Sequence, residues 1–245
     1  MSEATTPVYR YDDALQRALV VVAHPDDIDF GSAGTVAYLS AHGVDVAYCL
    51  VTSGDAGGDD STETREERAA TREMEQTAAA KEVGVTNLTF LRWPDGQVQT
   101  TLALRREIAR VIRTHRPDLV ITQNPERNYD RIRASHPDHM ATGESTLRAV
   151  YPDARNPHAF PELLREGFAP HTVPEVWLAG AAPTMVVDIT DTFAQKVAAL
   201  SQHVSQVGHD PDVEKRLREW SRDTARRAGL KKPRLAEGYR VIVTN

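Results

Sequence analysis

Two four-residue segments carry most of the chemistry open to this chain. His24-Pro25-Asp26-Asp27 stands near its beginning, and His136-Pro137-Asp138-His139 lies far downstream. Each places an imidazole before Pro-Asp and a second potential metal ligand after it. Together they offer two or three imidazoles and several carboxylates, a donor set suited to zinc. Zinc takes histidine nitrogen and aspartate oxygen, and a catalytic site keeps one position open for water. Adjacent aspartates in a turn must point different ways, so one of Asp26 and Asp27 can hold a metal while the other faces the water. His136 and His139 are three apart and can share a helical face. Only one of them need be a ligand; the other can serve as an acid or an electrostatic stabiliser. A single His-Pro-Asp is ordinarily a turn with a capping carboxylate. The pairing of one tetrad at a strand end with another at a helix start is what points to a metal.

The surrounding residues say how these groups are positioned. Residues 18–23 form a continuous apolar run, read as a strand buried on both faces. Pro25 holds His24 in extended geometry, so the strand runs up to His24, and a helix is expected to begin near residues 31–35. In open α/β sheets ligands bind at the carboxyl ends of strands. The second tetrad is expected to open a helix that continues through residues 140–150, capped by Ser135 or an aspartate.

Further strand-like runs cover residues 44–51, 87–92, 118–122, 175–178, 185–189 and 239–243. Helix-like runs cover residues 35–42, 63–83, 101–115, 193–204 and 213–227. The alternation predicts an α/β fold: a Rossmann-like three-layer sandwich with a mostly parallel central sheet. No linker or repeat divides the chain, so residues 1–245 are expected to form one domain. Residues 151–174 hold Pro157, Pro161, Pro170 and Pro174 besides Pro152, and read as a long functional loop or a small subdomain.

At this point the sequence resembles the LmbE-like (PIG-L type) N-acetylglucosaminyl deacetylases. Val22-Ala23-His24-Pro25-Asp26-Asp27, with Phe30-Gly31 and Gly34-Thr35 after it, is similar to the family's opening motif, and His136-Pro137-Asp138-His139 to its second. Supporting matches are Thr52-Ser53-Gly54-Asp55, the Arg-x-x-Glu helix from Arg72 to Val83-Gly84-Val85, Asp95-Gly96, and a Lys…His-x-Ser-Gln helix from Lys196 to Gln206. The resemblance implies zinc held by His24, Asp27 and His139, with Asp26 as general base. It implies that His136, oriented by Asp138, stabilises the oxyanion or protonates the leaving amine, and that Arg72 contacts the sugar. Iron(II) or cobalt(II) would suit the same donors.

Two positions depart from the family pattern. Its Glu after the Asp pair is Ile28 here, with Asp29 next. A Tyr that some members place two residues before the second tetrad is Ala134, and Tyr129 is the nearest substitute. Specificity is expected from loops around the metal: Asp95, the segment bearing Arg127, Arg131 and Arg133, and residues 151–174. The three arginines could grip an anionic group through forked donors, although a solvated loop is the plainer reading.

The activity so implied is removal of an N-acetyl group from an N-acetylglucosamine-type small molecule. The nearest alternative is a metal-dependent amidase acting on a thiol-sugar conjugate or a natural-product intermediate. A rival of another class is a sugar- or nucleotide-binding module without turnover, but binding alone does not need an Asp26 beside a metal ligand. A dinucleotide site is disfavoured: Gly31-Ser32-Ala33-Gly34 lacks the full G-x-G-x-x-G, and carboxylates there would repel a pyrophosphate. No Gly-x-Ser-x-Gly elbow accompanies the histidines.

The net charge of −6 argues against nucleic acid and anionic membranes as partners, and leaves a homo-oligomer open. Cys49 is the single cysteine and is expected to pack as a small hydrophobe. Residues 1–13 show no basic-then-apolar leader and no run is long enough to span a bilayer, so a cytoplasmic location is expected. His203 gains weight from its family position, while core packing accounts for it equally well.

Overall fold

The apolar run before the first tetrad becomes β1 (Arg17–Val22), at the heart of a seven-stranded sheet. The computed structural model describes residues 6–58, 61–130 and 132–244. Residues 1–5, part of the segment read as carrying no leader, lie outside these, as does Arg131. After β1 the chain runs α1 (Asp27–Gly31), α2 (Ala33–Ala41), β2 (Asp45–Thr52), α3 (Arg65–Glu82), β3 (Asn87–Trp93), α4 (Leu102–His115) and β4 (Leu119–Gln123). It continues through α5 (Pro137–Arg148), α6 (Pro161–Arg165), β5 (Glu175–Ala179), β6 (Met185–Asp188), α7 (Phe193–Ser201), α8 (Val204–Val207), α9 (Val213–Arg227) and β7 (Ala236–Val243). No helix among the described residues is long and apolar enough to cross a membrane.

The strand order is β3-β2-β1-β4-β5-β7-β6. The pairs β3-β2, β2-β1, β1-β4 and β4-β5 are parallel, and β7 runs antiparallel to both β5 and β6. Alternate residues of the central strands feed two apolar layers. Val20, Tyr48 and Leu50 meet Val36 of α2, Ala79 of α3 and Leu200 of α7 on one face. Leu19, Val21 and Cys49 meet Leu104 and Ile108 of α4 on the other. Burial on both faces explains why these strands read as unbroken apolar runs. Cys49 is buried among them, as expected.

The expected three-layer α/β sandwich is the observed one, with three local differences. A short helix begins at Asp27 itself, earlier than expected, and Ser32 separates it from α2. The run over residues 193–204 breaks at His203 into α7 and α8. The cap of α5 is neither Ser135 nor an aspartate. The Ser135 hydroxyl instead accepts the Asn128 N–H at 2.7 Å, so His136 becomes the cap, its Nδ1 accepting the Asp138 N–H at 3.2 Å.

Residues 151–174, expected as a loop or subdomain, are fastened to α4. The Arg113 guanidinium donates to the carbonyls of Asp153, Ala154, Asn156 and Ala159 at 2.9–3.1 Å, and Arg105 forks onto the Asp153 carboxylate at 2.8 and 2.9 Å. A kinked turn over Ala149–Ala154, with Tyr151 in extended geometry, leads into this segment, and Leu163 and Val173 are buried in the α4 layer.

Candidate active site and metal centre

Strand order reverses between β1 and β4, and α/β sheets open a ligand crevice at that point. Both tetrads arise there. The first follows β1 directly; the second follows β4 after the connecting loop. The end of β1 is clamped on both sides: Ala23 donates to Gln123 Oε1 at 2.9 Å, and its carbonyl accepts the Thr52 N–H at 2.8 Å and hydroxyl at 2.9 Å. The second tetrad is brought in by close packing of α5 on β4. A Cβ on Gly143 would stand 2.1 Å from the Gln123 carbonyl oxygen, so only glycine lets the helix approach so near.

His24, Asp27 and His139 converge. His24 Nδ1 is 3.2 Å from His139 Nε2 and 3.4 Å from Asp27 Oδ2, and His139 Nε2 is 3.0 Å from Asp27 Oδ1. Behind this cluster the other nitrogen of His24, Nε2, faces Asp95 Oδ1 at 3.0 Å and Asp138 Oδ2 at 3.2 Å. A ligating histidine characteristically gives its second nitrogen to a carboxylate in this way, which fixes its tautomer and orientation. Donor atoms of His24, His136 and His139 also lie within 4.8 Å of one another, as do those of His24, Asp95 and Asp138.

The donor set fits a divalent transition metal. Two imidazole nitrogens point at each other across 3.2 Å with a carboxylate beside them, an arrangement that calls for a cation between them. The surrounding carboxylates favour positive charge at this place. Burial would lower the pKa of His24, but hydrogen bonds to Asp138, Asp27 and Asp95 outweigh it and push it up to about 12. Burial alone would raise Asp27, yet His139 and His24 hold its carboxyl well below the usual range. Asp95 is likewise held at about 2, burial being overcome by His24 and the Ala56 N–H. Burial lowers the pKa of His136, and so do His24 and His139, which favours a neutral ring.

Asp26 stands next to this cluster and is not one of the converging donors. Its carboxylate accepts the Arg72 Nη2–H at 3.1 Å. Burial pushes its pKa up to about 7; Arg72 opposes the rise and Asp27 adds to it. Asp26 also holds φ 87°, the left-handed region that non-glycine residues seldom adopt.

Two expected roles receive different partners in the structure. Asp138 does not hydrogen-bond the His136 ring through its carboxylate. That carboxylate accepts the Gly96 N–H at 2.7 Å, the Val98 N–H at 3.2 Å and His24 Nε2, so it orients His24. Only the Asp138 backbone N–H reaches His136. Arg72, expected to touch the sugar, is 3% exposed. Its guanidinium donates to the carbonyls of Pro25 (2.6 Å) and Gly54 (3.0 Å) as well as to Asp26. A Cβ on Gly54 would fall 2.3 Å from Arg72 Nη1, so the loop after β2 closes round this side chain. Glu75, one turn along α3 from Arg72, instead accepts from the backbone and hydroxyl of Ser205.

The remaining candidates are placed as follows. Asp95 lies within the site, against His24, and Arg127 is exposed on the segment before the second tetrad. Arg131 lies outside the described residues. Tyr129, the nearest stand-in for the missing tyrosine, is 85% exposed. His203 is buried, with Nε2 in hydrogen-bond contact with Asp29 Oδ2 at 2.8 Å. Sequence reasoning missed Gln76 and Asp29, which hold the backbone of Asp26. One signal was available: Arg72 and Gln76 are four apart, so they share the face of α3 that meets the site.

The comparisons with known proteins fall on the same residues. The family model for GlcNAc-PI de-N-acetylase (PIG-L) matches residues 19–150, which contain both tetrads. A diacetylchitobiose deacetylase from Thermococcus kodakarensis is 32% identical over 80% of this chain and 72% of its own length. A probable N-acetyl-alpha-D-glucosaminyl L-malate deacetylase from Bacillus anthracis is 34% identical over 55% of this chain and 59% of its own length. Among solved structures, the N,N'-diacetylchitobiose deacetylase from Pyrococcus horikoshii superposes with a TM-score of 0.86 at 29% identity, covering 94% of this chain and 84% of that one. The named deacetylases among these relatives, together with histidine and aspartate donors at the switch point of the sheet, support a hydrolase of the deacetylase class. The chain belongs to the GlcNAc-PI de-N-acetylase (PIG-L) family.

Proposed function

We propose that this enzyme hydrolyses the N-acetyl group of an N-acetylglucosamine-type amino sugar, with zinc held by His24, Asp27 and His139. The observation that supports the reading is the convergence of those three donors, with Asp26 next to them and not one of them. The names of the curated relatives supply the substrate class.

When bound, the metal supplies Lewis acidity, bringing the pKa of a water towards about 7 and polarising the acetyl carbonyl. The chain's own residues do the rest. Asp26 accepts a proton from the attacking water as the water oxygen bonds to the acetyl carbon. Its raised pKa suits a group that must take up that proton and release it again near neutrality. His136 has its Nδ1 lone pair engaged by the Asp138 N–H, so a neutral ring carries its proton on Nε2. That N–H is a donor for the carbonyl oxygen as negative charge develops there, a contribution of roughly 3 kcal/mol for a well-placed group. As the C–N bond breaks, the proton held by Asp26 passes to the nitrogen, leaving a free amine and acetic acid, which gives its remaining proton to the amine or to solvent and departs as acetate. Asp95 and Asp138 keep the His24 ring in place throughout. Arg72 is assigned to Asp26, and Arg127 and Arg131 are kept as the proposed substrate contacts.

The test is release of amine and acetate from N-acetylglucosamine and N,N'-diacetylchitobiose, assayed with zinc, iron(II) or cobalt(II) and after chelation. Asp26→Asn should retain a full equivalent of metal and lose about 100-fold or more in kcat. His139→Ala should lose the metal itself. If His139→Ala kept stoichiometric metal through dialysis against chelator, or if Asp26→Asn turned over normally, the assignment would be wrong.

A further inference from the structure

Asp26 is a non-glycine residue at φ 87°, ψ −25°. Such a conformation is unfavourable for a non-glycine residue and persists only where neighbours over-determine it. The surrounding bonds form a chain that leads away from the site. The Asp26 N–H donates to Gln76 Oε1 at 2.9 Å. The amide nitrogen of Gln76 donates to Asp29 Oδ2 at 3.0 Å. That same oxygen pairs with His203 Nε2 at 2.8 Å. Gln76, Asp29 and His203 are all fully buried. The carbonyl of Asp26 closes the arrangement by accepting the Asp29 and Phe30 N–H groups at 2.9 and 3.0 Å.

The polarity of this chain matters. A carboxamide presents an acceptor on one side and a donor on the other, and a flip exchanges them. Asp29 is a carboxylate and accepts only, so it compels Gln76 to turn its NH2 inward and its oxygen towards Asp26. Without Asp29 the Gln76 NH2 loses the acceptor that holds it, and the Asp26 N–H alone is left to fix the amide, so the anchor of the left-handed backbone is weakened. His203 holds Asp29 from behind. The residue at the family's glutamate position, Ile28, is part of the apolar core, and Asp29 is the acidic residue that reaches Gln76.

We infer that Asp29, acting through the Gln76 amide and backed by His203, is a positioning residue that sets the conformation of Asp26. This rests on the reading of Asp26 as the general base. Misplacing a reacting group by about 1 Å can cost on the order of 100-fold in rate, so loss of this anchor acts on kcat and leaves metal binding alone.

Asp29→Leu removes the acceptor. Asp29→Asn keeps it: an Asn oxygen at the Oδ2 position still accepts from Gln76 and His203, and its NH2 sits where Oδ1 makes no bond among the described residues. The metal-loaded variants are assayed on N,N'-diacetylchitobiose, alongside Asp26→Asn, and their crystal structures determined. The expected result is a kcat about 10- to 100-fold lower in Asp29→Leu, with metal content and KM unchanged, Asp26 out of the left-handed region, and near-normal turnover in Asp29→Asn. Normal kcat in Asp29→Leu overturns the inference, and so do equal losses in both variants, which would make the charge of Asp29 its role. If Asp26→Asn is itself fully active, the reading of the base has failed, and the backbone of Asp26 in the Asp29→Leu structure alone decides whether the anchor exists. If Asp29→Leu does not fold, Gln76→Met breaks the same chain one bond nearer the site and is judged by the same criteria.

Discussion

Arg72 shows how one side chain can serve the chemistry without meeting the substrate. Its fork is divided among two backbone carbonyls and the Asp26 carboxylate, and the loop after β2 wraps closely enough to exclude other ligands. Breaking a buried ion pair by removing one partner costs about 3–5 kcal/mol, because the other charge is left uncompensated. Asp26 is partly exposed, so the lower end applies here. Arg72→Ala should therefore lower kcat far more than it raises KM, and should lower Tm by several degrees, at about 2–4 °C per kcal/mol for a chain of this size. A sugar contact would give the opposite pattern, with KM raised and Tm unmoved. Steady-state kinetics on diacetylchitobiose together with a thermal melt separate the two. The motif made Arg72 stand out in the sequence. Its partners could not be read there, because the Pro25 and Gly54 carbonyls it bonds lie on loops that only the folded sheet brings together.

At the scale of elements, the site depends on two strands and the helix that follows the second. Most of this was legible: the central strands are apolar because both faces are covered, Pro25 marks where the first tetrad leaves β1, and Pro137 marks where the second enters α5. The caps and breaks were less legible, because they depend on which polar group wins a given N–H. Ser135 is a good cap by type, but the loop before α5 claims its hydroxyl, and His136 takes its place. Gly143 carried no signal at all. A glycine within a helical run looks like a weakness, and its reason is the neighbouring Gln123 carbonyl. Gly143→Ala would improve an isolated helix, yet here the methyl meets backbone and α5 must move outward. The expected cost is about 1–3 kcal/mol of stability, as for overpacking elsewhere, with weaker metal retention because His139 moves with the helix. Denaturant unfolding and metal titration on the variant check both. A stabilised protein with unchanged metal affinity would mean that α5 does not approach β4 as closely as described.

Across the whole molecule, the far end of the chain secures the first tetrad. Lys196 of α7 was singled out by motif alone; in the fold its ammonium meets Glu237 of β7 at 2.5 Å and the Phe30 carbonyl at 2.7 Å, both inside the protein. Glu237 in turn accepts the N–H groups of Gly34 and Thr35 at the start of α2, at 3.2 and 2.7 Å, and Tyr239 donates to Thr35 at 2.9 Å. Anionic groups are favoured at a helix N-terminus, so the carboxylate has a use apart from the lysine. One buried group of bonds thus joins α1, α2, α7 and β7 on the side of the sheet that carries α3. Lys196→Met leaves Glu237 buried without its counter-charge and should cost about 3–5 kcal/mol. Lys196→Met with Glu237→Gln removes both charges and still offers Thr35 an acceptor, so the double variant should regain most of that loss. Chemical denaturation of the two variants and the parent measures the coupling. If the double variant proved no more stable than Lys196→Met alone, the loss would come from the Phe30 bond and packing around the lysine, and the ion pair would not be what holds β7 to the start of α2.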